Sequence, residues 1–364
     1  MLALLLLACT GPAWIWDLPL HFPEPVVPAD NPMTPAKVEL GRHLFYDTRL
    51  SVTGAMSCAS CHKQELAFTD GRATGLGTTG EAHPRGPMSL ANAAYSSRYA
   101  WANPLLDTLE TQALLPLFGD DPVEMGMADR ESALTAELSA DPQTAALFEA
   151  AWPGDGDPFT VERVVQSIAA FERSLISGDA PYDRYLNGDA DAMTDAQKRG
   201  MTLFFSERLE CFHCHGGTTF SDSIDHQGLL DAEVAFHNTG LYNVDGAGAY
   251  PADNTGIQAI TGEAEDMGRF KAPTLRNIAV TAPYMHDGSI ETLDGVIDHY
   301  AAGGRTLTEG PYAGDGAGNP YKSNFVGGFI LTDDERADLL AFFDALTDAG
   351  FLTNPAYGDP SAEE

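Results

Sequence analysis

The pentapeptide Cys211-Phe-His-Cys-His215 determines how the rest of the chain is arranged, and a second copy stands earlier as Cys58-Ala-Ser-Cys-His62. Two cysteines separated by two residues and followed at once by histidine form the attachment motif of a c-type haem. Two copies therefore predict two covalently bound haem c groups. The attachment residues are Cys58, Cys61, Cys211 and Cys214, and the axial iron ligands are His62 and His215.

Cysteine pairs with this spacing also occur in zinc sites and in redox disulfides. A histidine directly after both pairs, with the pairs far apart in the chain, is unusual for a zinc site. We therefore favour haem attachment and keep zinc and disulfide chemistry as the alternatives.

The length of the chain limits the number of domains, and its net charge limits the kinds of partner it can bind. The 364 residues are enough for two domains of ordinary size. The chain has 53 acidic and 20 basic residues and a net charge of −33, which argues against nucleic acid and anionic membrane surfaces as partners. A basic or neutral protein partner fits this charge, but a role in solubility alone explains the acidity equally well.

The fifth cysteine, Cys9, ends an apolar run at the start of the chain. Residues 1–8 are typical of a bacterial lipoprotein signal peptide, with Cys9 as the lipidated residue. The run is too short to span a bilayer. It also lacks basic residues at its start, so an ordinary export signal is the alternative. We expect a periplasmic protein that contacts the membrane only through a lipid anchor on Cys9.

Two helices open the two halves of the chain. Residues 9–33 are rich in proline and predict an extended tether or a disordered tail. The first helix follows, with Thr34 as N-cap and Pro35 at the first helical position. Thr194 and Gln197 form a capping box for the second helix.

These helices repeat each other, as Gly41-x-x-Leu-Phe-Tyr-x-x-Arg-Leu50 and Gly200-x-x-Leu-Phe-Phe-x-x-Arg-Leu209. A glycine inside a helix costs about 1 kcal/mol against alanine, so we expect another helix to approach closely at each one. The repeat predicts a mostly α-helical fold of two tandem cytochrome-c-like domains, over residues 34–185 and 186–350, with a haem–haem interface between them. Residues 351–364 are predicted as a tail.

The remaining segments divide into helices and one long loop. Helical patterns cover 129–150 and 161–177, and a final amphipathic helix begins at Thr332, which Glu335 helps to cap. Residues 216–270 are rich in glycine, aspartate and asparagine and predict a long loop over the second haem.

The residue opposite His215 decides what the second iron can do. Residues 292–302 predict a helix with Leu293, Val296, Ile297 and Tyr300 on one apolar face. Tyr300 is either part of the core or a ligand of the second iron. The other candidate ligands are Met267, Met285, His286 and His299.

The wall of the first haem pocket is predicted from residues 112–125. Heterolytic cleavage of a peroxide bond needs a group that moves a proton between the two oxygens, and Glu124 is suited to this. The alternative is that Glu124 follows Pro122 as an ordinary residue at the start of a helix.

Several stretches beside the haem motifs are typical of one family. They are Leu40-Gly-Arg-His-Leu-Phe-Tyr-Asp-Thr-Arg-Leu-Ser51, Leu90-Ala-Asn-Ala-Ala-Tyr95, Leu109-Glu-Thr-Gln112, Pro122-Val-Glu-Met125, Ala272-Pro-Thr-Leu-Arg-Asn277 and Pro283-Tyr-Met-His-Asp-Gly288. With them the chain resembles the bacterial di-haem cytochrome c peroxidase and MauG superfamily from Thr34 to Thr347. Three further stretches are similar to its MbnH-type branch: Trp101-Ala-Asn-Pro104, Glu210-Cys-Phe-His-Cys-His-Gly-Gly217 and Ala235-Phe-His-Asn-Thr-Gly-Leu-Tyr242.

The resemblance implies roles for individual residues. Glu124 is the acid and base of the peroxide pocket, Gln112 and Pro116 line that pocket, and Trp101 relays electrons between the haems. Peroxidases place a methionine ligand where this chain has Tyr300, and MauG-like enzymes place a tyrosine there.

The chain also departs from the peroxidase pattern. His83 does not align with the distal histidine of the peroxidases, so we expect the first haem to be permanently open, with ligation by His83 as the alternative. Gly86 stands where the family has a calcium-binding asparagine. Calcium between the haems would then rest on the carbonyl groups of Thr281 and Pro283.

The resemblance implies a hydrogen-peroxide-dependent oxidase that forms a high-valent, bis-ferryl-type state. It would oxidise a partner protein by long-range electron transfer, for example by converting tryptophan to kynurenine. The partner would be an exported protein, and a copper-binding protein is one candidate. One alternative is a cytochrome c peroxidase that reduces peroxide with electrons from a small cytochrome c or cupredoxin. Another is a di-haem electron carrier with both irons six-coordinate.

Overall fold

The computed structural model describes residues 12–363, in which α-helices alternate with long irregular segments. The predicted signal peptide and the lipidation of Cys9 lie outside the described residues. No helix in the described part is long and apolar enough to cross a membrane.

The helices confirm the mostly α-helical prediction. In chain order they are α1 (Pro35–Tyr46), α2 (Cys58–Cys61), α3 (Leu109–Phe118), α4 (Glu131–Ala140), α5 (Pro142–Ala151), α6 (Val161–Ser174), α7 (Pro181–Leu186), α8 (Asp195–Phe204), α9 (Gln258–Thr261), α10 (Leu293–Ala301), α11 (Asp333–Asp344) and α12 (Ala349–Thr353). Two short strands, β1 (Thr306–Leu307) and β2 (Gly314–Asp315), pair antiparallel with Thr306 opposite Asp315.

Helices α1 and α8 begin where the capping residues predict. The Thr34 hydroxyl accepts a hydrogen bond from the Lys37 amide, and Pro35 occupies the first turn of α1. At α8 the hydroxyl of Thr194 accepts from the amide of Gln197, while the Gln197 side chain accepts from the Thr194 amide. Each cap satisfies amide groups that a helix start leaves without partners.

Each half of the chain is built on one pair of crossing helices, α1 on α6 and α8 on α11. A Cβ atom added at Gly41 would lie 1.9 Å from the carbonyl oxygen of Ser167 in α6. A Cβ atom at Gly200 would lie 1.9 Å from the carbonyl oxygen of Asp338 in α11. The close approach predicted from the glycines is therefore confirmed, and the two halves repeat one helix crossing.

Two predicted segments differ in detail from the structure. The helix predicted over 129–150 is two helices, because Asp141 is extended and its carboxylate caps the new helix that starts at Pro142. The helix predicted over 161–177 ends at Ser174. Residues 216–270 are irregular as predicted, apart from the single turn α9 and short 3-10 turns.

The segment before α1, predicted as a tether or a disordered tail, packs on the protein surface. Phe22 is buried against Tyr95, whose hydroxyl donates to the carbonyl of Pro23. The His21 ring lies 3.0 Å from the carboxylate of Asp183, at the junction of the two halves.

The C-terminal segment, predicted as a tail, instead packs into the first half. Phe351 is buried in the core that α1 and α6 form. The Gln64 amide donates to the carbonyls of Phe351 and Asn354, and the Tyr46 hydroxyl donates to that of Tyr357. The last residues of the chain therefore complete its first core.

A buried ion pair joins the two halves. The Arg276 guanidinium donates to both carboxylate oxygens of Asp183 in α7 at 2.6 Å, and both side chains are fully buried. Beside this pair, Asn277 donates to the Ser177 hydroxyl and accepts from the Asp348 amide. Removing one partner of such a buried pair typically costs about 3–5 kcal/mol.

The helix crossings give a stability prediction. Gly200→Ala should lower the free energy of unfolding by about 2–3 kcal/mol, because its Cβ would displace the α11 backbone. Chemical denaturation of the haem-loaded protein measures this change. Gly156→Ala is the control, since a Cβ at Gly156 meets nothing within 4 Å. Equal stability of the two variants would contradict the role of Gly200 in the crossing.

Candidate active site

The two motif histidines are oriented in the same way. His62 donates from Nδ1 to the carbonyl of Phe68 at 2.7 Å, and His215 donates from Nδ1 to the carbonyl of Phe220 at 3.0 Å. Phe68 and Phe220 both have left-handed backbones, with φ of 62° and 56°. Because a carbonyl only accepts, Nδ1 carries the proton and Nε2 is left for a metal ion.

The thiols of the two motifs are available for haem attachment. The four cysteines form no disulfide. Burial raises the pKa of Cys61 to about 11 and that of Cys211 to about 12. Among the described residues, the groups that could hold a metal ion contain no two cysteines of one motif.

A cavity of about 300 Å³ lies beside the first motif, a volume typical of ligand pockets. Cys58, Cys61 and His62 form one part of its wall. The remaining wall includes every residue predicted for the peroxide pocket or the relay next to it. They are Gln112, Pro116, Glu124 and Trp101, and His83 joins them. Residues predicted from separate stretches of sequence thus surround one cavity.

Backbone hydrogen bonds fix the segment that carries Glu124. The Met125 amide donates to the carbonyl of Pro116 at 2.9 Å, and the Thr78 amide donates to the carbonyl of Glu124 at 2.6 Å. Burial raises the pKa of the Glu124 carboxyl, although 38% of the side chain remains exposed. A carboxyl that contacts both cavity and solvent is suited to proton transfer.

His83 lies next to Glu124. Its Nε2 is 4.0 Å from the Glu124 carboxylate, and its Nδ1 accepts from the Arg85 amide at 3.1 Å. Burial lowers the pKa of His83, so the imidazole is neutral. The open first haem, with His83 as the alternative ligand, stays a prediction.

Tyr300 lies near the end of α10, on the side of the second motif. Burial raises the pKa of its phenol, and the thiols of Cys214 and Cys211 raise it further, which indicates that the three groups are close. The Tyr300 hydroxyl makes no hydrogen bond to any described residue. A phenol without a partner beside the motif fits an oxygen ligand of the second iron.

The other candidates for that ligand have different surroundings. Met267 and Met285 pack against an apolar cluster that includes Phe270. The His286 ring stacks on Phe270 at 3.7 Å, and the buried His299 ring meets the ring of Tyr300 edge-on at 4.9 Å. The contacts account for the two methionines, but both ring nitrogens of His299 and the Nε2 atom of His286 are buried without a hydrogen-bond partner among the described residues.

Trp101 lies between the first cavity and α10. Its indole Nε1 donates to the carbonyl of Gly86 at 2.8 Å. Its ring packs against the same apolar cluster as Leu293 and Val296 of α10. This position fits the predicted relay.

Lys271 is a residue of this region that the sequence analysis missed. Its amide donates to the carbonyl of Trp101, and its Nζ donates to that of Arg98 at 2.6 Å. The side chain lines the first cavity, and burial lowers its pKa to about 8. The sequence around Lys271 has no hydrophobic periodicity. The lysine itself is therefore the one local feature that could have indicated a functional residue.

His237 and Asp222 were also missed. His237 Nε2 is hydrogen-bonded to the carboxylate of Asp222, and both lie close to Cys214. Burial would lower the pKa of His237, but Asp222 and Cys214 raise it to about 10. A protonated imidazole therefore stands beside the second motif.

The predicted calcium ligands lie after a 3-10 turn. The Thr281 hydroxyl donates to the carbonyl of Ile278, and the Gly86 amide donates to the carbonyl of His286 at 3.0 Å. These contacts do not involve the carbonyls of Thr281 and Pro283. Calcium at those carbonyls stays a prediction.

Comparison with known proteins assigns the chain to a family. The profile of the family described as di-haem cytochrome c peroxidase matches residues 35–191. The methylamine utilization protein MauG of Methylorubrum extorquens is 35% identical over 324 residues, covering 88% of this chain and 80% of the relative. Cytochrome-c peroxidase IdrP1 of Denitromonas iodatirespirans is 34% identical over 351 residues, covering 93% and 87%.

A solved structure is similar over nearly the whole chain. The crystal structure of a MauG-like protein associated with microbial copper homeostasis superposes with a TM-score of 0.94 at 49% identity, covering 96% of this chain and all of the other. The chain therefore belongs to the family of di-haem cytochrome c peroxidases and MauG proteins, oxidoreductases whose family description implies two haems.

Proposed function

We propose that this protein is a hydrogen-peroxide-dependent di-haem oxidase that oxidises a partner protein by long-range electron transfer, for example at a tryptophan to give kynurenine. The observation that carries the proposal is Tyr300, whose phenol is close to the thiols of Cys214 and Cys211 and has no hydrogen-bond partner among the residues that the structure describes. A phenolate ligand lowers the reduction potential of haem iron and favours its oxidised states, whereas methionine raises the potential. An iron of this kind suits the storage of oxidising equivalents.

Hydrogen peroxide reacts in the first cavity. Haem bound by Cys58, Cys61 and His62 supplies the iron chemistry there. Glu124 accepts the proton of the inner peroxide oxygen and gives it to the outer oxygen, which leaves as water. Gln112 and Pro116 limit the space above the haem.

Electrons reach the first cavity from a partner at the protein surface. Trp101 relays them between the two haems, and Tyr300 closes the second iron against small molecules. The partner need not enter a pocket, because only electrons pass between the partner and the first cavity.

The partner is an exported protein, and a net charge of −33 favours one with a basic or neutral surface. The association of a similar protein with copper homeostasis supports a copper-binding partner. We further propose a periplasmic location with a lipid anchor on Cys9.

A di-haem cytochrome c peroxidase is the second candidate. The imidazole of His83, 4.0 Å from Glu124 in the first cavity, favours it, as does the peroxidase name of the relative IdrP1. This candidate requires a methionine-ligated second haem. A low-spin histidine–methionine spectrum of the resting protein would contradict the oxidase and support the peroxidase.

The substitution Tyr300→Phe should abolish oxidation of the partner while both haems remain attached, because phenylalanine offers no ligand atom. Mass spectrometry of the partner after addition of peroxide measures the oxidation, and pyridine-haemochrome spectra measure the haem content. Tyr312→Phe is the control, since Tyr312 is exposed. Partner oxidation at the normal rate in Tyr300→Phe would exclude this role.

The substitution Glu124→Gln should slow the reaction with peroxide by about 10²–10⁴-fold, which is the usual contribution of a general acid–base group. Glu124 must be deprotonated to accept the peroxide proton. The pKa of Glu124 is raised, so the wild-type rate should fall as the pH drops through that raised pKa. The rate of the variant should not show this decrease at low pH. Stopped-flow spectroscopy measures the rates. The exposed Glu65→Gln is the control, and an unchanged rate in Glu124→Gln would leave Glu124 a structural role only.

Mass spectrometry of exported proteins identifies the partner. When peroxide is added to the wild-type protein with a co-purified or genomically adjacent exported protein, one tryptophan of the partner should gain mass. If peroxide is consumed only when a reduced cytochrome or cupredoxin is supplied, and no protein is modified, the peroxidase is the correct assignment.

A further inference from the structure

Glu172 in α6 is a buried acid that the proposed peroxide chemistry does not use. Its side chain lines the first cavity, and the residue is only 6% exposed. The Oε2 atom has no hydrogen-bond partner among the described residues. A charged carboxylate in these surroundings would be strongly disfavoured, so the carboxyl is neutral at rest.

The neighbouring cation compensates Glu172 only in part. Arg173, the next residue of α6, donates to both carboxylate oxygens of Glu110 in α3 at 2.8 and 2.6 Å. Burial is the largest effect on Glu172 and raises its pKa to about 8, although the charge of Arg173 acts in the opposite direction. The charge of Glu110 raises the pKa as well.

Other titratable groups near Glu172 are neutral or belong to more distant parts of the cavity wall. Burial raises the pKa of Cys58 in α2 and of Tyr99, so neither carries a charge. The cavity wall also contains Glu124, His83 and Lys271. Arg173 therefore favours the ionised form of Glu172, and its effect is smaller than that of burial.

A carboxyl with this environment responds to the charge of the group beside it. In a low-dielectric cavity, an added positive charge favours the carboxylate, and its removal favours the neutral acid. We propose that Glu172 is the internal proton-exchange group of the first cavity: it releases one proton to solvent when the haem held there loses one electron, and it rebinds one proton when the electron returns.

The exchange keeps the net charge of the cavity constant. A one-electron chemical oxidant removes the electron in the test below, and a chemical reductant returns it. The inference rests on the haem of the first motif, and it does not depend on which partner is oxidised.

The main test measures the reduction potential of the first haem against pH in the holoenzyme, by optical potentiometry with a chemical reductant. In the wild-type protein the potential should fall as pH rises through about 8, because the carboxylate stabilises the oxidised haem. Glu172→Gln should lose this dependence. Glu162→Gln, on the same helix with a 71% exposed side chain, should retain it. The proposal would be overturned if the potential of Glu172→Gln depended on pH as in the wild-type protein. It would also be overturned if Glu124→Gln lost the pH dependence and Glu172→Gln did not.

Infrared difference spectra give a second test, in which the wild-type protein alone shows whether a carboxyl changes protonation and the variants assign the band. Reduction should produce the carbonyl band of a protonated carboxyl, and oxidation should remove it. Glu172→Gln should lack this band, and Glu172→Asp should restore a shifted one. A difference spectrum without any protonated-carboxyl change would contradict the proposal. Neither test involves partner oxidation, so failure of the proposed function would be seen separately.

Discussion

The hydrogen bond from each motif histidine to a phenylalanine carbonyl is the constraint on which the rest of the site depends. His62 donates to Phe68 and His215 to Phe220, and each phenylalanine is fully buried with a left-handed backbone. The aromatic ring anchors the turn in the core, and the turn directs its carbonyl at the imidazole. The orientation of each metal-binding nitrogen is therefore set by core packing.

Because both halves orient the motif histidine in the same way, the two sites differ in the other groups that surround each motif. The first half has a cavity lined by three carboxyl groups, Glu81, Glu124 and Glu172. The second half has α10 with the phenol of Tyr300. Two salt bridges from Arg336 in α11 to Asp294 and Asp298 tie α10 to the helix crossing of that half. The repeated scaffold thus surrounds its two motifs with different groups, which the proposed function assigns to one reactive and one closed site.

The features that the sequence predicts correctly are local. Helix caps at Thr34, Thr194 and Thr332 depend on residues three positions apart, and the glycines Gly41 and Gly200 mark close contacts without saying which helix approaches. The prediction that the pocket residues surround one cavity came from the family resemblance. Their spacing alone does not bring them together.

The features that the sequence did not predict arise from contacts between distant irregular segments. Lys271 and Glu172 gain their importance from burial at a shared cavity, and neither has a local motif. Likewise, nothing near Phe351 in sequence indicates that it enters the core of the first half, because its partners lie in α1 and near the first haem motif. Hydrophobic periodicity predicts a single helix or strand, whereas these sites are formed by residues from several segments.

The C-terminal contact has a consequence for the order in which the protein matures. The first domain is synthesised first, yet its core lacks Phe351, and Gln64 and Tyr46 lack their backbone partners, until the last residues have emerged. The first half, which contains Cys58 and Cys61, therefore cannot complete its core before residues 351–357 have been synthesised and have packed against it.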